Sequence, residues 1–123
     1  MMSYVAPTLV LCLCAEWCGV CRDYRSGFED LASRHDGAVF HWIDIEDAPD
    51  WPDTLDIESF PTVMIQRGDH VLYLGPTLPQ HSHLERTLQH LLAMDGEQAR
   101  RYVEASEERR SWQAAAQFSE RLR

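Results

Sequence analysis

The sequence has no lysine, no internal repeat and no apolar run long enough to cross a membrane. Its eleven basic residues are all arginine and face twenty acidic residues, so the formal net charge is −9 and we expect no nucleic-acid partner. No basic region precedes the first apolar stretch, so we expect neither export nor membrane insertion. We therefore expect a cytoplasmic protein, whose cysteines stay reduced unless they take part in chemistry.

Several catalytic patterns are also missing. No Ser-His-Asp order, glycine-rich phosphate loop or zinc-protease pattern occurs, and the acidic residues show no spacing that demands paired-carboxylate catalysis. The six histidines are scattered. His81 and His83 flank a serine beside a predicted helix start, which is typical of a solvated turn, although such a pair can bind metal adventitiously. We expect no cofactor and no resident metal.

The most informative stretch that is present has two cysteines separated by two residues: Trp17, Cys18, Gly19, Val20 and Cys21. Residues 8–14 form an apolar run that predicts a buried strand directly before it. Apolar residues then recur at helical spacing, so Cys18 would lie in the first turn of a helix. The positive end of the helix dipole stabilises a thiolate there, and the thiolate is the nucleophile in thiol–disulfide exchange.

Cys12 and Cys14 lie only a few residues before this motif, and four cysteines within ten residues could also bind zinc or an iron–sulfur cluster. No second pair of cysteines or histidines follows at ligand spacing. Because the strand fixes Cys12 and Cys14 apart from the helix-borne pair, we interpret both as small buried core residues.

The rest of the chain alternates strands and helices. Residues 38–44 predict a second strand, and residues 62–66 and 71–74 predict two strands joined by a hairpin. Leucines at helical spacing predict a helix over 79–94, ended by Gly96. At 123 residues the chain suits one domain. We place that domain at residues 1–96, followed by a C-terminal helical extension at 97–123.

Acidic residues are concentrated in residues 44–58, where no basic residue occurs. The stretch is typical of a solvated loop and short helix. An alternative is that its electrostatic field steers cationic partners toward the neighbouring cysteine motif.

Two separated motifs in this order resemble the thioredoxin superfamily. Residues 15–21, which read AEWCGVC, are similar to the family's A-E-W-C-G-P-C signature, and residues 60–62, which read FPT, resemble its cis-proline element. The similarity covers roughly residues 8–95. It implies an α/β thioredoxin-like fold, with a central four-stranded mixed sheet flanked by helices and, in this chain, an extra C-terminal helix.

The resemblance also implies a thiol–disulfide oxidoreductase that acts on protein substrates. Cys18 would be the attacking thiol and Cys21 the resolving thiol. A cis bond before Pro61 would turn the backbone of Phe60 outward to pair with an extended substrate segment. The substrate groove would be lined by Trp17, Gly19, Val20, Phe60 and Pro61. The implied partners are protein disulfides and a reductase or dithiol donor.

The departures from the family pattern keep a second hypothesis open. Cys12 stands where the family's redox enzymes usually place a buried aspartate, Trp42 stands in place of its lysine partner, and Val20 replaces a proline. Without that carboxylate, Cys21 lacks the usual base. The alternative is therefore an interaction or chaperone-type adaptor that has little turnover.

The ends of the chain differ from thioredoxins proper, which begin with an extra strand and helix. Only seven residues precede the first strand here, so we expect residues 39–43 to form a sheet edge that needs a cover or a partner. In the extension, Trp112, Ala115, Phe118 and Leu122 fall on one helix face. Because much of the segment is polar, it could be a frayed tail; alternatively, that face could dock on the chain's own sheet, on a client protein or on a second copy. A homodimer through the 39–43 edge or the C-terminal helix is an open alternative.

Overall fold

The computed structural model describes residues 8–15, 19–35, 37–46, 60–77 and 80–116. Their elements, in chain order, are β1 (Thr8–Cys14), α1 (Gly19–Arg34), β2 (Ala38–Asp44), β3 (Thr62–Arg67), β4 (His70–Pro76), α2 (His81–Leu92), α3 (Gly96–Glu104) and α4 (Glu107–Trp112).

The strands form one four-stranded mixed sheet in the order β2-β1-β3-β4. β1 is parallel to β2 and antiparallel to β3, and β3 is antiparallel to β4. The hairpin between β3 and β4 turns at Gly68, whose φ of 60° is a conformation that glycine adopts readily. Within the described residues, β2 and β4 form the two edges. The predicted edge position of residues 39–43 therefore agrees with the structure.

β1 is buried on both faces, and its side chains alternate between two core clusters. Val10, Cys12 and Cys14 belong to the larger cluster, and Leu11 and Leu13 belong to the smaller cluster on the opposite face. A near-continuous apolar run is what a central strand covered on both sides requires. The observed bounds of β1 and β2 also match the predicted residues 8–14 and 38–44.

α1 packs on the face of the sheet that carries the larger cluster. It buries four side chains at helical spacing: Cys21, Tyr24, Phe28 and Leu31. Its last turn is tied to α2 through Glu85, whose carboxylate accepts from Arg34 at 2.6 Å and contacts the His35 ring at 2.8 Å. Both contacts hold the pKa of Glu85 below its usual value, and the His35 contact has the larger effect.

The predicted end of the leucine-bearing helix is wrong. α2 ends at Leu92, and Gly96 begins the next helix instead of terminating the previous one. The physical reason is a capping box. The Asp95 side chain accepts from the Gln98 backbone N–H at 2.8 Å, and the Gln98 side chain accepts from the Asp95 N–H at 2.9 Å.

The C-terminal extension is not one helix within its described part. α3 ends at Glu104, and α4 begins after Ser106, whose side chain accepts from the Arg109 N–H at 3.1 Å. Residues 113–116 then form a short 3₁₀ turn. A serine that caps a new helix explains the break, because its hydroxyl satisfies an otherwise unbonded N–H at that point.

The described part of the extension docks on the chain's own sheet beside β4. Ala99 and Val103 of α3 belong to the larger core cluster, whereas Ala115 belongs to the smaller cluster on the opposite face. The segment therefore passes around the β4 edge from one face of the sheet to the other. Phe118 and Leu122, which share the predicted apolar stripe, lie outside the described residues. A homodimer remains an untested alternative.

Candidate active site

The described part of the cysteine motif begins α1. Gly19 and Val20 are exposed, with 49% of Val20 accessible, whereas Cys21 is fully buried in the larger core cluster. Trp17 and Cys18 lie outside the described residues. The motif therefore has an outward-facing middle and an inward-facing second cysteine.

The electrostatic setting at the start of α1 favours an anion. The helix has 16 residues and no acidic residue in its first turn, so no neighbouring carboxylate on the helix offsets the positive end of its dipole. Most of the acidic stretch at 44–58 lies outside the described residues, so a steering field from it remains a prediction.

The strand register brings residues 60 and 61 to the same end of the sheet as the motif. Leu13 pairs with Thr62, so Pro61 lies opposite the end of β1 that leads into residues 15–18. The Phe60–Pro61 peptide bond is cis, and the Pro61 carbonyl accepts from the Thr77 N–H at 3.2 Å. Pro61 is buried, and Phe60 is half-buried against the larger core cluster.

Behind Cys21 lies a group of buried sulfur atoms. The Sγ atoms of Cys12 and Cys14 are 3.8 Å apart. Tyr24, one helical turn after Cys21, belongs to the same buried cluster, and its hydroxyl interacts electrostatically with both cysteines. Burial raises the pKa of Tyr24 to about 12. A side-chain hydrogen bond with Thr77 partly opposes that increase, and the electrostatic effects of Cys12 and Cys14 add to it.

Trp42 is the β2 partner of Cys12 in the sheet. Its ring packs edge-on against Phe28 at 5.7 Å, and the Arg25 guanidinium lies 5.3 Å from its ring centre. The two positions where the resemblance leads us to expect an aspartate and a lysine therefore hold a buried thiol and an aromatic ring.

Sequence reasoning missed the contact that fixes α1 against α2. His81 does not lie in a solvated turn. Its Nε2 contacts the Tyr24 carbonyl at 2.9 Å, and its ring stacks on the Tyr24 ring with centroids 4.4 Å apart. A Cβ on Gly27 would lie 2.2 Å from the His81 ring, so only glycine leaves room for it. A glycine inside a helical pattern was the available signal, because such a glycine often marks a close approach.

Within the described ranges, no group of three or more histidine, cysteine or acidic side chains is arranged to hold a metal ion. No helix in these ranges is long and apolar enough to span a membrane.

Comparison with known sequences points in one direction. The family model described as Thioredoxin matches residues 3–90. The chain is 28% identical over 89 residues to "Putative thioredoxin 2" of Streptomyces coelicolor, which covers 72% of this chain and 66% of that protein. It is 30% identical over 64 residues to "Thioredoxin-1" of Caenorhabditis elegans, covering 51% of this chain and 56% of that one. The matches thus span less than two thirds of these relatives' lengths.

Solved structures share the fold. A germline-specific thioredoxin, Deadhead, from Drosophila melanogaster superposes with a TM-score of 0.64 at 24% identity, covering 70% of this chain and 82% of that one. Chloroplastic thioredoxin z superposes with a TM-score of 0.64 at 24% identity, covering 72% of this chain and 81% of that one. The predicted α/β fold, a four-stranded mixed sheet flanked by helices, is confirmed.

Proposed function

Because the chain belongs to the thioredoxin family, we propose that it is a thiol–disulfide oxidoreductase that exchanges disulfides with protein substrates through Cys18 and Cys21. The family supports redox chemistry of this general kind. The observation that carries the finer proposal is the placement of Cys21, which is fully buried in the first turn of α1, one residue after the exposed Val20. A resolving thiol needs such a protected position, whereas an attacking thiol needs access to solvent.

In the reductive direction, the Cys18 thiolate attacks one sulfur of a substrate disulfide and expels the other as a thiolate, which takes up a proton. Cys21 then attacks the Cys18 sulfur of the mixed disulfide, loses its proton and releases the reduced substrate. The chain is left with a Cys18–Cys21 disulfide, so two electrons have passed to the substrate. A reductase or dithiol donor restores the two thiols.

The docking groove would be formed by the flanking aromatic residue, the middle of the motif and the loop before β3, that is, Trp17, Gly19, Val20, Phe60 and Pro61. The exposed apolar side chain of Val20 and the position of Pro61 beside the motif support this surface. Pairing with extended substrate backbone would suit an unfolded or flexible segment that carries a disulfide. We place the activity in the cytoplasm.

Insulin reduction in the presence of dithiothreitol tests the proposal. The full chain should accelerate the reaction, and both Cys18→Ser and Cys21→Ser should abolish the acceleration. Ser26→Ala, an exposed change on α1, is the matched control and should retain full activity. The two cysteine variants should differ in a second readout without dithiothreitol: after reduction and removal of the reductant, only Cys21→Ser should accumulate a mixed disulfide with substrate, because Cys18 can attack but the resolving thiol is absent.

A second candidate function, an interaction or chaperone-type adaptor with little turnover, is favoured by one observation. Cys12 and Trp42, paired across β1 and β2, provide neither a base nor a cation behind Cys21. Two results together would favour the adaptor. The wild-type protein would fail to reduce insulin, and the wild type and the Cys18→Ser variant would bind an unfolded client protein with equal affinity.

A further inference from the structure

Cys12 and Cys14 are two buried nucleophiles that the proposed reaction does not use. Their exposed fractions are 0% and 2%, and both belong to the core cluster that contains Cys21. Because they are separated by one residue on an extended strand, both side chains point to the same face. Their sulfur atoms are 3.8 Å apart.

This spacing lies at the limit of what a disulfide can bridge. Two residues of a strand advance by about 6.6–6.8 Å, and disulfides join Cα atoms separated by about 4.4–6.8 Å. The sulfurs would approach from 3.8 Å to the bond length of about 2.05 Å. A bond formed at such a limit is easily reduced, so it would persist only while an oxidant in excess keeps Cys18 and Cys21 oxidised, and it suits a reversible redox couple better than a permanent cross-link.

The hydroxyl of Tyr24 supplies a polar group at this position. It is buried, and the Thr77 side chain is a hydrogen-bonding neighbour that partly offsets the effect of burial on its pKa. Its raised pKa keeps it protonated, so it can donate to a neighbouring thiolate. A thiolate is the form that exchange requires, and burial alone would disfavour it.

We propose that Cys12 and Cys14 form a second, buried redox couple that is oxidised by exchange with the Cys18–Cys21 disulfide. The oxidant in this step rests on the proposed function. The Cys14 thiolate attacks the Cys21 sulfur and expels Cys18 as a thiolate; Cys12 then attacks the Cys14 sulfur and expels Cys21. The thiols of Cys12 and Cys14 lose two electrons and two protons, which leave Cys18 and Cys21 as thiols.

The sequence allows a direct test, because cleavage after Glu16 separates the two cysteine pairs. The full chain is oxidised with excess diamide, quenched in acid, unfolded, alkylated with iodoacetamide and digested with a glutamate-specific protease. We expect peptide 1–16 to be unlabelled, two hydrogens lighter than its dithiol form and not linked to peptide 17–29. Alkylation of both Cys12 and Cys14 after full oxidation would overturn the proposal, and so would a cross-link between the two peptides.

Peptide 17–29 reports separately on Cys18 and Cys21. If it stays alkylated at both cysteines, the proposed function fails; if it is oxidised while 1–16 stays alkylated, the second couple alone is ruled out. In a Cys18→Ser/Cys21→Ser variant we expect the Cys12–Cys14 disulfide to form at least tenfold more slowly than in the wild type. An unchanged rate would overturn the exchange step.

Tyr24→Phe tests the hydroxyl. Loss of one hydrogen bond to the thiolate should slow oxidation of peptide 1–16 by about threefold to tenfold. The melting temperature should stay within a few degrees of the wild type, since the ring remains in place. An unchanged oxidation rate would remove Tyr24 from the account.

Discussion

Cys12 is the residue at which this chain departs furthest from the pattern that its motif resembles. It is fully buried, faces the same core cluster as Cys21 and pairs across the sheet with Trp42. A thiol at this position packs as a small apolar side chain. In the proposed reaction, position 12 therefore offers no carboxylate to accept the proton that leaves Cys21.

Replacing Cys12 with aspartate should restore such a base. We expect Cys12→Asp to speed insulin reduction by about tenfold, in the lower range of general-base effects. We also expect it to lower the free energy of unfolding by about 3 kcal/mol, because a buried carboxylate without a cationic partner is unfavourable.

The pH dependence gives this prediction a signature. Burial would raise the folded-state pKa of the new carboxyl above its unfolded value of about 3.9. The folded state then binds more protons than the unfolded state, so stability is lost as the pH rises from about 4 through the raised pKa. Cys12→Asn is the matched control and should show neither the rate gain nor this pH dependence. If Asp and Asn behave alike in melting and in turnover, position 12 does not act on the disulfide.

Gly27 is a second residue whose identity is set by a neighbour in space. Glycine inside a helix normally destabilises it by about 1 kcal/mol relative to alanine. Here a Cβ would collide with the His81 ring, which contacts the Tyr24 carbonyl. We expect Gly27→Ala to destabilise the protein by about 1–2 kcal/mol, through loss of this contact and of the ring stacking.

A double-mutant cycle checks the cause. In a His81→Ala background the collision is absent, so Gly27→Ala should instead stabilise the chain by up to about 1 kcal/mol. Chemical denaturation of the four proteins measures both effects. The same sign in both backgrounds would show that His81 is not the reason for glycine at this position.

Among the strands, β4 forms one edge of the sheet, and the side chain of Gln113 covers part of that edge. Gln113 accepts from the Val71 N–H at 2.9 Å and donates to the Val71 carbonyl at 2.8 Å. The amide thus bonds both backbone groups of Val71, as a neighbouring strand would. Covering an edge in this way blocks pairing with other chains.

Gln113→Ala should therefore destabilise the protein by about 1–2 kcal/mol, because two partly buried hydrogen bonds are lost together. Gln89→Ala, at an exposed position on α2, is the matched control and should change stability by less than about 0.5 kcal/mol. Thermal and urea unfolding measure both. Equal effects of the two substitutions would mean that the Gln113 contacts add nothing to stability.

Local sequence patterns predict the elements of the sheet well. β1 and β2 have their expected bounds, because an uninterrupted apolar run and the turn residues around it fix where a buried strand can lie. β3 and β4 extend beyond the predicted 62–66 and 71–74, since hairpin pairing continues to residues that are not apolar.

The elements beyond residue 92 were harder to predict for two physical reasons. Glycine can end one helix or begin the next, and at Gly96 the Asp95 capping box decides for the second. The location of α3 and α4 around β4 depends on contacts between distant parts of the chain, which no local pattern contains. Within the candidate site, Cys18 and Trp17 remain predictions from the motif alone.

At the scale of the whole molecule, the C-terminal extension is part of the core. Ala99 and Val103 are buried with side chains of α1 and α2, and Trp112 packs edge-on against Tyr73 at 5.6 Å. This arrangement supports docking within one chain. Among the described strands, none pairs with the outer side of β2.

Truncation after Met94 should therefore destabilise the protein by more than about 4 kcal/mol, because it exposes the core surface beneath α3 and removes the cover of β4. Size-exclusion chromatography with light scattering should show the full chain as a monomer. A dimer that the truncation dissociates would instead place the extension on a second copy. A truncated chain that keeps its melting temperature would show that the extension is a free tail.

If Cys18 and Cys21 form a reversible redox couple as proposed, the pair has a measurable reduction potential. The full chain is equilibrated in dithiothreitol or glutathione buffers of stepped potential, quenched in acid, alkylated and cleaved after Glu16, and the oxidised fraction of peptide 17–29 is measured. We predict a single two-electron transition with a midpoint between roughly −270 and −120 mV, the range of enzymes that exchange disulfides. A peptide that stays alkylated at every potential, or one that stays oxidised below about −300 mV as structural disulfides do, would contradict the account.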